Sequence, residues 1–491
     1  MPTLTIHRGP QTASVTFTGP EKLSSLLDKA GYSTAHPCGG RGICGKCAVM
    51  LTGNSSSPNS AEERCGARLS CQAVILGDAE VILPQAHPMM QIEGGSSRML
   101  TPVHAMPGQY GAAIDVGTTT LALQLYDLHT GRCLACTSML NPQTGVAADV
   151  IGRIDAALHG GAEQLRTGME AALEALLHTA AAQAGVPSGD VESLVITGNT
   201  TMLYLLTGRS PESLSHAPFA ADHLFGTECS LLGRRCYLPP CLHAFVGADT
   251  ACALLASAMP DQDETALLCD IGTNGEIALR HKGQLYIAST AAGPAFEGAG
   301  VSCGCGSIPG AIDRVDVTDE QLHIRTIAGE TPAGLCGSGL VDVIAALLKL
   351  EIIDETGAME DHIYPLAPGV TLTQQDVRAV QLAKAAIAAG TASLLQAAGC
   401  SVGEVRTMYL AGGFGSHLSI SSAAAIGLIL PELADKIQVI GNAALDGAAL
   451  LLTDTTLRSK LTAMQQSAHH VRLDGNPYFS QRYVEEMLFA Q

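Results

Sequence analysis

Four cysteines near the N-terminus are spaced as ligands of an iron–sulfur cluster. Cys38, Cys44 and Cys47 follow a C-x5-C-x2-C pattern, and Cys71 comes 23 residues after the third. Three thiolates in one glycine-rich loop, with a fourth from a distant strand, suit a cluster of two irons. Glycines in such a loop let backbone N–H groups point at the inorganic sulfurs, which stabilises the reduced cluster. We therefore predict a 2Fe–2S cluster bound by Cys38, Cys44, Cys47 and Cys71.

Two alternatives compete with this ligand set. A structural zinc site usually combines two short cysteine or histidine pairs, and this segment contains a single C-x2-C pair. Cys65 competes with Cys71 for the fourth position. Cys71 enters a predicted strand in the run Arg68-Leu-Ser-Cys71, whereas Cys65 follows charged residues in a predicted loop. A strand holds a ligand more rigidly than a loop, so the pattern favours Cys71.

Two later segments carry the groups that hold a nucleoside triphosphate with Mg²⁺. Asp115-Val-Gly-Thr-Thr-Thr and Asp270-Ile-Gly-Thr-Asn-Gly-Glu each follow a predicted strand. The glycine lets the chain turn against a phosphate, the threonine hydroxyls donate hydrogen bonds, and the aspartate approaches the metal. A G-x4-G-K-[ST] motif is lacking, which excludes a P-loop enzyme. We predict catalytic roles for Asp115 and Asp270, and nucleotide contacts from Gly117, Thr118, Thr119, Gly272, Thr273, Asn274, Gly412 and Gly413.

The predicted secondary structure places the cysteines in a small N-terminal domain. Alternation of apolar and polar residues and one amphipathic stretch predict two strands, a helix and three short strands, over residues 3–8, 13–18, 22–30, 48–51, 72–76 and 80–83. Together they form a β-rich domain over residues 1–85. Residues 86–109 contain prolines and glycines without periodicity, which is typical of a flexible linker.

The remainder, residues 110–491, alternates strands and helices in the manner of an α/β domain. It contains a diverged internal repeat: the two Asp-x-Gly-Thr segments are matched by two strands that end in glycine, near Gly198 and Gly412. Two similar halves facing each other across a cleft are the simplest interpretation.

Composition narrows the range of partners. The 491 residues carry a net charge of −19, so nucleic acids and anionic membranes are poor partners. No run of 18 apolar residues occurs, which predicts no membrane span. The first residues lack the basic-then-apolar pattern of an export signal, and 16 cysteines suit a reducing compartment. These features favour the cytoplasm.

Taken together, the motifs resemble those of the reductive activators of corrinoid enzymes. The most specific segments are Cys38-Gly-Gly-Arg-Gly-Ile-Cys-Gly-Lys-Cys47, Arg68-Leu-Ser-Cys-Gln, Asp115-Val-Gly-Thr-Thr, Asn141-Pro-Gln, Gly198-Asn-Thr-Thr-Met, Asp270-Ile-Gly-Thr-Asn-Gly-Glu, Ala292-Gly-Pro-Ala-Phe-Glu-Gly and Ala411-Gly-Gly-Phe-Gly. The resemblance implies an α+β ferredoxin domain of the β-grasp type. A duplicated α/β actin-like ATPase domain (ASKHA, RNase H-like) is expected to follow it.

The resemblance also implies a function. The protein would use ATP, Mg²⁺ and a 2Fe–2S cluster to pass an electron from a low-potential donor to a corrinoid protein of a methyltransferase system. The acceptor cobalt would change from Co(II) to Co(I). Longer relatives carry an additional domain where this chain has only the linker. Because that domain contributes to dimerisation in them, a homodimer stays an open alternative.

Two other functions fit the same residues. One is a small-molecule kinase of the same superfamily with a redox-sensing ferredoxin domain, which would need no protein acceptor. The other is a docking module for electron carriers whose affinity is switched by nucleotide without useful turnover. Glu297 and His417 lie beside glycines, where such side chains either stabilise a turn or face the cleft. Cys303 and Cys305 are interpreted as buried thiols rather than as a second metal site.

Overall fold

A computed structural model describes residues 1–9, 11–32, 40, 42, 47–83 and 99–489, apart from the side chains of residues 64 and 65. The chain forms two compact units. One comprises Met1–Pro88 and Pro142–Gly161, and the other comprises Met89–Asn141 and Ala162–Gln491. No helix in the described ranges is long and apolar enough to cross a membrane.

The first unit is built on a mixed sheet with one helix packed over it. Its elements are β1 (Thr3–Arg8), β2 (Gln11–Thr16), β3 (Glu21–Lys22), α1 (Leu23–Lys29), β4 (Ala48–Ser55), α2 (Ser60–Cys65), β5 (Arg68–Leu69) and β6 (Val74–Ile82). The sheet runs β2-β1-β6-β4-β5, with β3 paired to β6, and β1 lies parallel to β6. Leu23, Leu26 and Leu27 of α1 are fully buried against the sheet. The predicted hairpin, the helix after it and the strand from Ala48 are present. Two placements were wrong: Cys65, which the sequence places in a loop, ends α2, and Cys71, which it places in a strand, lies in the turn between β5 and β6.

One strand assignment was wrong. The sequence predicts a break between strands at 72–76 and 80–83, because Gly77-Asp78 has the composition of a turn. In the structure β6 is continuous from Val74 to Ile82. The partner strand β4 shifts register between Gly53 and Ser55, and Gly53 adopts a φ of +95° there. Between the pairs Gly53–Ala79 and Ser55–Ile75, one residue of β4 faces three residues of β6, so the bulge lies in β6 at the predicted break, although the strand continues through it.

The Pro142–Gly161 segment of the first unit contains α3 (Val150–Ala156), capped by the Asp149 side chain. Arg153 of this helix is fully buried, and its Nε donates to the carbonyl of Ala147 at 3.0 Å.

The second unit contains two six-stranded sheets that share a five-stranded order and differ in the edge to which the sixth strand is added. The first half comprises β7 (Tyr110–Val116), β8 (Thr120–Asp127), β9 (Arg132–Leu140), α4 (Ala162–Ala184), β10 (Val191–Gly198), α5 (Thr200–Leu206), α6 (Glu212–Ser215), β11 (Thr227–Leu231), β12 (Arg234–Leu238) and α7 (Ala248–Ser257). Its sheet runs β11-β12-β10-β7-β8-β9, in which β7, β8 and β9 are antiparallel and β10 is parallel to β7.

The second half repeats this order. Its elements are β13 (Ala266–Ile271), β14 (Gly275–His281), β15 (Gln284–Thr290), β16 (Ala311–Thr318), β17 (Gln321–Thr326), β18 (Gly334–Leu335), α8 (Gly337–Lys349), β19 (Ile363–Ala367), β20 (Val370–Thr373), α9 (Gln374–Ala398), β21 (Thr407–Ala411), α10 (Ile420–Ala425), β22 (Ile437–Gly441), α11 (Ala443–Thr453), α12 (Leu457–Ser467), β23 (His469–His470) and α13 (Pro477–Glu485). The sheet runs β22-β21-β13-β14-β15-β23, with β21 parallel to β13. The predicted duplication is therefore confirmed.

Residues 99–109 differ from the free linker that the sequence suggests. The backbone N–H of Leu100 donates to Gly131, that of Val103 to Thr453 and that of Met106 to Leu452, all within 3.1 Å. The Met106 side chain is buried. The segment packs on the second unit in an irregular conformation. Because it is neither helix nor strand, its sequence has no apolar periodicity that would have predicted these contacts.

Candidate functional site

The first candidate site lies where β4 begins and β5 ends. Cys47 immediately precedes β4, and Cys71 follows β5 by two residues. Both thiols are buried, and their Sγ atoms lie 3.3 Å apart. Two thiolates on one tetrahedral metal at about 2.3 Å would lie about 3.8 Å apart, so this pair is close to the separation that a shared metal requires. Cys38 and Cys44 lie outside the described residues, and so does the side chain of Cys65.

A buried carboxylate holds the segment that carries Cys71. Glu62 is almost fully buried, and its Oε1 accepts from Arg68 Nε at 2.9 Å and from the Leu69 backbone N–H at 3.0 Å. Burial alone would raise the pKa of Glu62, but the Leu69 and Arg68 donors lower it below its usual value. Gln72 then joins this segment to the cysteine loop, since its Nε2 donates to the Gly40 carbonyl at 2.6 Å.

The donor chemistry of the pair fits a soft cationic centre. Burial raises the pKa of the Cys47 thiol to about 11, so the thiol stays protonated when no cation faces it. A positively charged iron would remove that penalty and bind the thiolate form. Since both sulfurs point at one another from rigid backbone positions, little ordering is needed before they bind a cluster.

The second candidate site lies in the second unit, at the ends of β7 and β13. Asp115 is the penultimate residue of β7, and Asp270 is the penultimate residue of β13. Both loops turn tightly: the Gly117 N–H donates to the Thr120 carbonyl at 3.0 Å, and the Gly272 N–H donates to the Asn274 carbonyl at 3.2 Å. A Cβ on Gly117 would lie 2.6 Å from the Thr120 oxygen, so this turn requires glycine.

Glu297 connects these two loops. Its Oε1 accepts from the Thr273 hydroxyl at 2.8 Å, and its Oε2 accepts from the Thr119 hydroxyl. Thr119 belongs to the first half of the repeat and Thr273 to the second. One carboxylate therefore joins a loop of the first half to a loop of the second, so Glu297 lies between the two predicted nucleotide loops.

Four further carboxylates surround this bridge: Asp115, Asp249, Asp270 and Glu276. Burial, followed by the charge of Asp249, raises the pKa of Asp115 to about 7. Burial, followed by the charges of Asp249 and Glu297, raises the pKa of Asp270 to about 7. Burial likewise raises the pKa of Asp249 to about 6 and that of Glu276 well above its usual value. So many carboxylates facing one another are stable together only when protons or cations neutralise them.

Asparagine side chains hold the residues of the Asp115 loop in position. The Nδ2 of Asn442, which caps α11, donates to Asp115 Oδ2 at 3.1 Å. The Nδ2 of Asn199, which caps α5, donates to the Thr118 hydroxyl at 3.0 Å. Asn141 donates to the Gly117 carbonyl at 2.8 Å. Asp115, Gly117 and Thr118 are thereby held by side chains from outside their own loop.

The third predicted segment adjoins Asp270. Gly412 follows β21, which pairs with β13, and adopts a φ of +87°. A Cβ there would collide with the Asp270 carboxylate, so glycine is required. Gly413 is the next residue and is exposed. The structure thus brings Gly412 and Gly413 beside the Asp270 loop, as the sequence predicts for one cleft.

Asp249 and Glu276 carry chemistry that the sequence reasoning did not assign. Asp249 lies in the first turn of α7, after Gly247, whose missing side chain leaves room for the Asn199 backbone. Glu276 lies directly across from Asp270 in the β13–β14 hairpin. Like charges directly opposite one another in a sheet are destabilising. A hairpin with its turn at Gly272–Asn274 would have predicted this pairing from the sequence.

Other residues singled out in the sequence lie apart from this cluster of contacts. His417 is exposed in a short turn after Gly415. The Cys303 sulfur accepts from the Thr371 backbone N–H at 3.4 Å. Among the residues that the structure describes, no three carboxylate, thiol or imidazole groups converge tightly enough to cage a metal ion by themselves.

Models of three protein domains match consecutive parts of the chain. The 2Fe-2S iron-sulfur cluster binding domain matches residues 6–76, the RACo middle region matches 110–262, and the C-terminal domain of RACo, the ASKHA domain, matches 264–491.

Two curated proteins align over most of the chain. The corrinoid activation enzyme RamQ of Eubacterium limosum is 34% identical over 422 residues, covering 78% of this chain and 70% of that protein. The [Co(II) methylated amine-specific corrinoid protein] reductase of Methanosarcina barkeri is 27% identical over 426 residues, covering 77% of each. A solved structure, the reductive activator for corrinoid, iron-sulfur protein, shares the fold at a TM-score of 0.71 and 23% identity. That match covers 100% of this chain and 98% of the other.

Proposed function

The chain belongs to the family of reductive activators of corrinoid proteins, and on this premise we propose that it reduces a corrinoid protein from Co(II) to Co(I) with the use of ATP. One observation carries the proposal: a single chain holds both a buried thiol pair fit for an iron–sulfur cluster and a two-halved, carboxylate-rich cleft. The first suits one-electron transfer and the second suits a nucleotide. Neither a simple ferredoxin nor a simple kinase needs both.

At the electron-transfer end, Cys47 and Cys71 would hold the cluster together with Cys38 and Cys44. A bound 2Fe–2S cluster supplies one-electron chemistry at low potential. The chain's own contribution is rigidity. Glu62 fixes the Arg68–Leu69 strand, and Gln72 links Cys71 to the loop at Gly40. These contacts keep the sulfur positions the same before and after an electron passes, which lowers the reorganisation that electron transfer requires.

At the nucleotide end, Asp115 and Asp270 would hold Mg²⁺ through its waters, and Thr118 would donate to a phosphate. Thr119 and Thr273 each have one hydroxyl hydrogen, which Glu297 accepts here, so they would donate to phosphates by exchanging that bond. Mg²⁺ usually keeps several waters and takes one or two carboxylates plus substrate phosphates. This preference is consistent with the described residues, among which no three His, Cys, Asp or Glu side chains form a metal site by themselves. A triphosphate arriving with its cation would neutralise the carboxylates whose mutual charge raises the pKa of Asp115 and Asp270.

Coupling ATP to the electron is required by energetics. Each 59 mV of uphill potential costs one electron about 1.4 kcal/mol. ATP binding in the cleft could supply this free energy, because a nucleotide between the Asp115 and Asp270 loops would change how the two halves are joined through Glu297. We place this reaction in the cytoplasm, where thiols stay reduced, with a low-potential protein or chemical reductant as the donor.

The direct test is an anaerobic activation assay. The purified protein is mixed with a Co(II) corrinoid protein, a low-potential reductant and Mg-ATP, and Co(I) is followed by its sharp near-ultraviolet absorption. Co(I) should form, and omission of ATP should nearly stop it. Phosphorylation of a small metabolite at useful rates, with every corrinoid protein left as Co(II), would instead establish a kinase.

Asp270→Asn separates the two ends of the proposal. The variant removes a charge from the nucleotide cleft without touching the cysteines, so ATP hydrolysis should fall by two or more orders of magnitude, as is usual when an electrostatic catalytic group is lost. Its visible iron–sulfur absorption should equal that of the wild type. Asp435→Asn, on a turn away from the cleft loops, is the matched control and should hydrolyse ATP normally. Hydrolysis at the wild-type rate in Asp270→Asn would place the nucleotide elsewhere.

A further inference from the structure

Two cysteines on β9 have been brought together by a strand irregularity. Cys133 and Cys136 are three residues apart, and residues at that spacing normally point to opposite faces of a strand. Here the pairing with β8 shifts between Leu125 and Tyr126, so that Leu134 has no opposite partner. The resulting bulge turns both thiols to the same face, and their Sγ atoms lie 3.5 Å apart.

Bulges of this kind commonly re-aim side chains near functional sites. Both thiols are partly accessible to solvent, so a small molecule can reach them. Their pairing also differentiates them: the hydrogen bond from Cys133 lowers the pKa of Cys136, while the same interaction and burial raise that of Cys133. One more acidic thiol beside a protonated one is the arrangement found in reactive dithiols.

A line of polar contacts runs from this dithiol toward the nucleotide cleft. Tyr126 and Gln124 lie opposite Cys133 and Cys136 in the ladder and share their face of the sheet. The Tyr126 hydroxyl lies within hydrogen-bonding reach of the Cys133 sulfur and donates to Gln124 Oε1 at 3.0 Å. Gln124 Nε2 in turn approaches Asp446 Oδ1 at 3.4 Å.

The last part of this line is a helix. Asp446 lies in the first turn of α11, and Asn442, which caps the same helix, donates to Asp115 Oδ2 at 3.1 Å. Tyr126 is 1% exposed and Gln124 is 0% exposed. Since buried side chains are closely packed, a displacement at one end cannot be absorbed by solvent.

We propose that Cys133 and Cys136 form a reversible disulfide that weakens Mg-ATP binding when the thiol pool becomes oxidised. This inference goes beyond the proposed function and concerns its control. An enzyme that consumes ATP to make a strong reductant would hydrolyse it without benefit under oxidising conditions. A dithiol whose oxidation follows the redox state of the cellular thiols would prevent this wasted ATP hydrolysis.

The chemistry balances with a small disulfide such as oxidised glutathione as the oxidant. The Cys136 thiolate attacks one glutathione sulfur, and a glutathione thiolate leaves. The Cys133 sulfur then attacks Cys136 of the mixed disulfide, forming the internal S–S bond and releasing the second glutathione. The protein loses two electrons and two protons, both protons ending on glutathione, and a dithiol reductant reverses each step.

Bond formation must move the strand. An S–S bond is about 2.05 Å long, so the sulfurs approach by about 1.5 Å from their present separation. The Cys133 sulfur also loses its proton, so it can no longer donate a hydrogen bond. The contact between Gln124 and Asp446, at 3.4 Å, is longer than the 3.0 Å contact between Tyr126 and Gln124 and is expected to break first. Loss of the Gln124–Asp446 contact is expected to shift the start of α11 and to turn the Asn442 side chain away from Asp115.

The test uses the full-length protein, equilibrated anaerobically with reduced or with oxidised glutathione. Peptide mapping after thiol alkylation should show a Cys133–Cys136 disulfide in the oxidised sample alone. The affinity for Mg-ATP should fall about fivefold or more in that sample, the lower end of typical coupling between sites, and a dithiol should restore it. A pair that stays reduced in folded protein, or a disulfide without any loss of affinity, would overturn the proposal.

Three variants locate the effect. Cys133→Ala should bind Mg-ATP equally under both conditions. Cys229→Ala alters a second close pair, opposite Cys236 in the β11–β12 hairpin, and should respond as the wild type does. Tyr126→Phe should still form the disulfide but lose the change in affinity. An undiminished response in Cys133→Ala would assign the effect to other cysteines, and an undiminished response in Tyr126→Phe would disprove the polar route.

Discussion

The bridge from Glu297 to Thr119 and Thr273 gives the sharpest test of the cleft. In Glu297→Gln the side chain keeps its size, but one carboxylate oxygen becomes an N–H donor and the charge is lost. Both threonine contacts are hydrogen bonds to a charged acceptor, and such bonds contribute about 1.5–3 kcal/mol each. At least one of the two must be lost or weakened, because the new amide offers a single acceptor atom.

The expected cost follows from that count. Loss of one charged hydrogen bond, about 1.5 kcal/mol, corresponds to roughly a tenfold change in rate or affinity. If the bridge sets the closed arrangement of the two halves, kcat/KM for ATP should fall by about that factor in Glu297→Gln. The visible absorption of the iron–sulfur domain should not change, since Glu297 lies in the other unit.

A double-mutant cycle decides whether the contact itself is responsible. Thr119→Val removes the hydroxyl at nearly constant volume, and Thr119→Ser, the matched control, keeps it. If the bridge forms, Glu297→Gln and Thr119→Val together should cost less than the sum of the single variants, by about 1 kcal/mol, as is usual for contacting residues. Strict additivity in kcat/KM, with Thr119→Val no worse than Thr119→Ser, would refute the bridge.

Two further predictions concern the cluster and the C-terminus. Cys71→Ser should abolish the reddish-brown absorption of anaerobically purified protein, because a hydroxyl ligates iron poorly, whereas Cys65→Ser should keep it; the reverse outcome would exchange their roles. Lys384 is fully buried, and its Nζ donates to the carbonyls of Glu486 and Leu488 at 2.5 Å. Burial lowers its pKa from 10.5 to about 8, so the folded state holds fewer protons than the unfolded state between those values. The stability of the wild type relative to Lys384→Met should therefore rise across that window, by up to about 3 kcal/mol, as urea unfolding midpoints would show; a flat difference would mean that the buried amine titrates normally.

Much of the cleft could be predicted because its signals are local. The Asp115 and Asp270 loops each combine a buried strand, a glycine in a tight turn and hydroxyl donors within a few residues. Their repetition in the sequence reflects the repeated sheet order in the fold. The capping box that begins α9, formed by Thr373 and Asp376, has an equally local signal. In each case the chemistry and the backbone geometry depend on the same short segment.

The parts that escaped prediction depend on contacts between distant segments. Asn442 reaches Asp115 across 327 positions, and no short pattern marks an asparagine as the partner of a particular carboxylate. Asp249 enters the cleft because α7 starts at Gly247, where the absence of a side chain admits the Asn199 backbone. The β9 bulge is similar: C-x2-C is visible in the sequence, but the shared face of Cys133 and Cys136 depends on an unpaired Leu134.

The carboxylates in the cleft explain why this site should respond to its ligand as a whole. Asp249 raises the pKa of Asp115, which belongs to the first half, and of Asp270, which belongs to the second. A cation that approaches any one of them therefore lowers the free energy of ionising the others. Glu297 adds a mechanical link between the same loops. A magnesium-bound triphosphate in this site would neutralise the carboxylates and take over the threonine donors, and release of the products would restore both the repulsion and the Glu297 bridge.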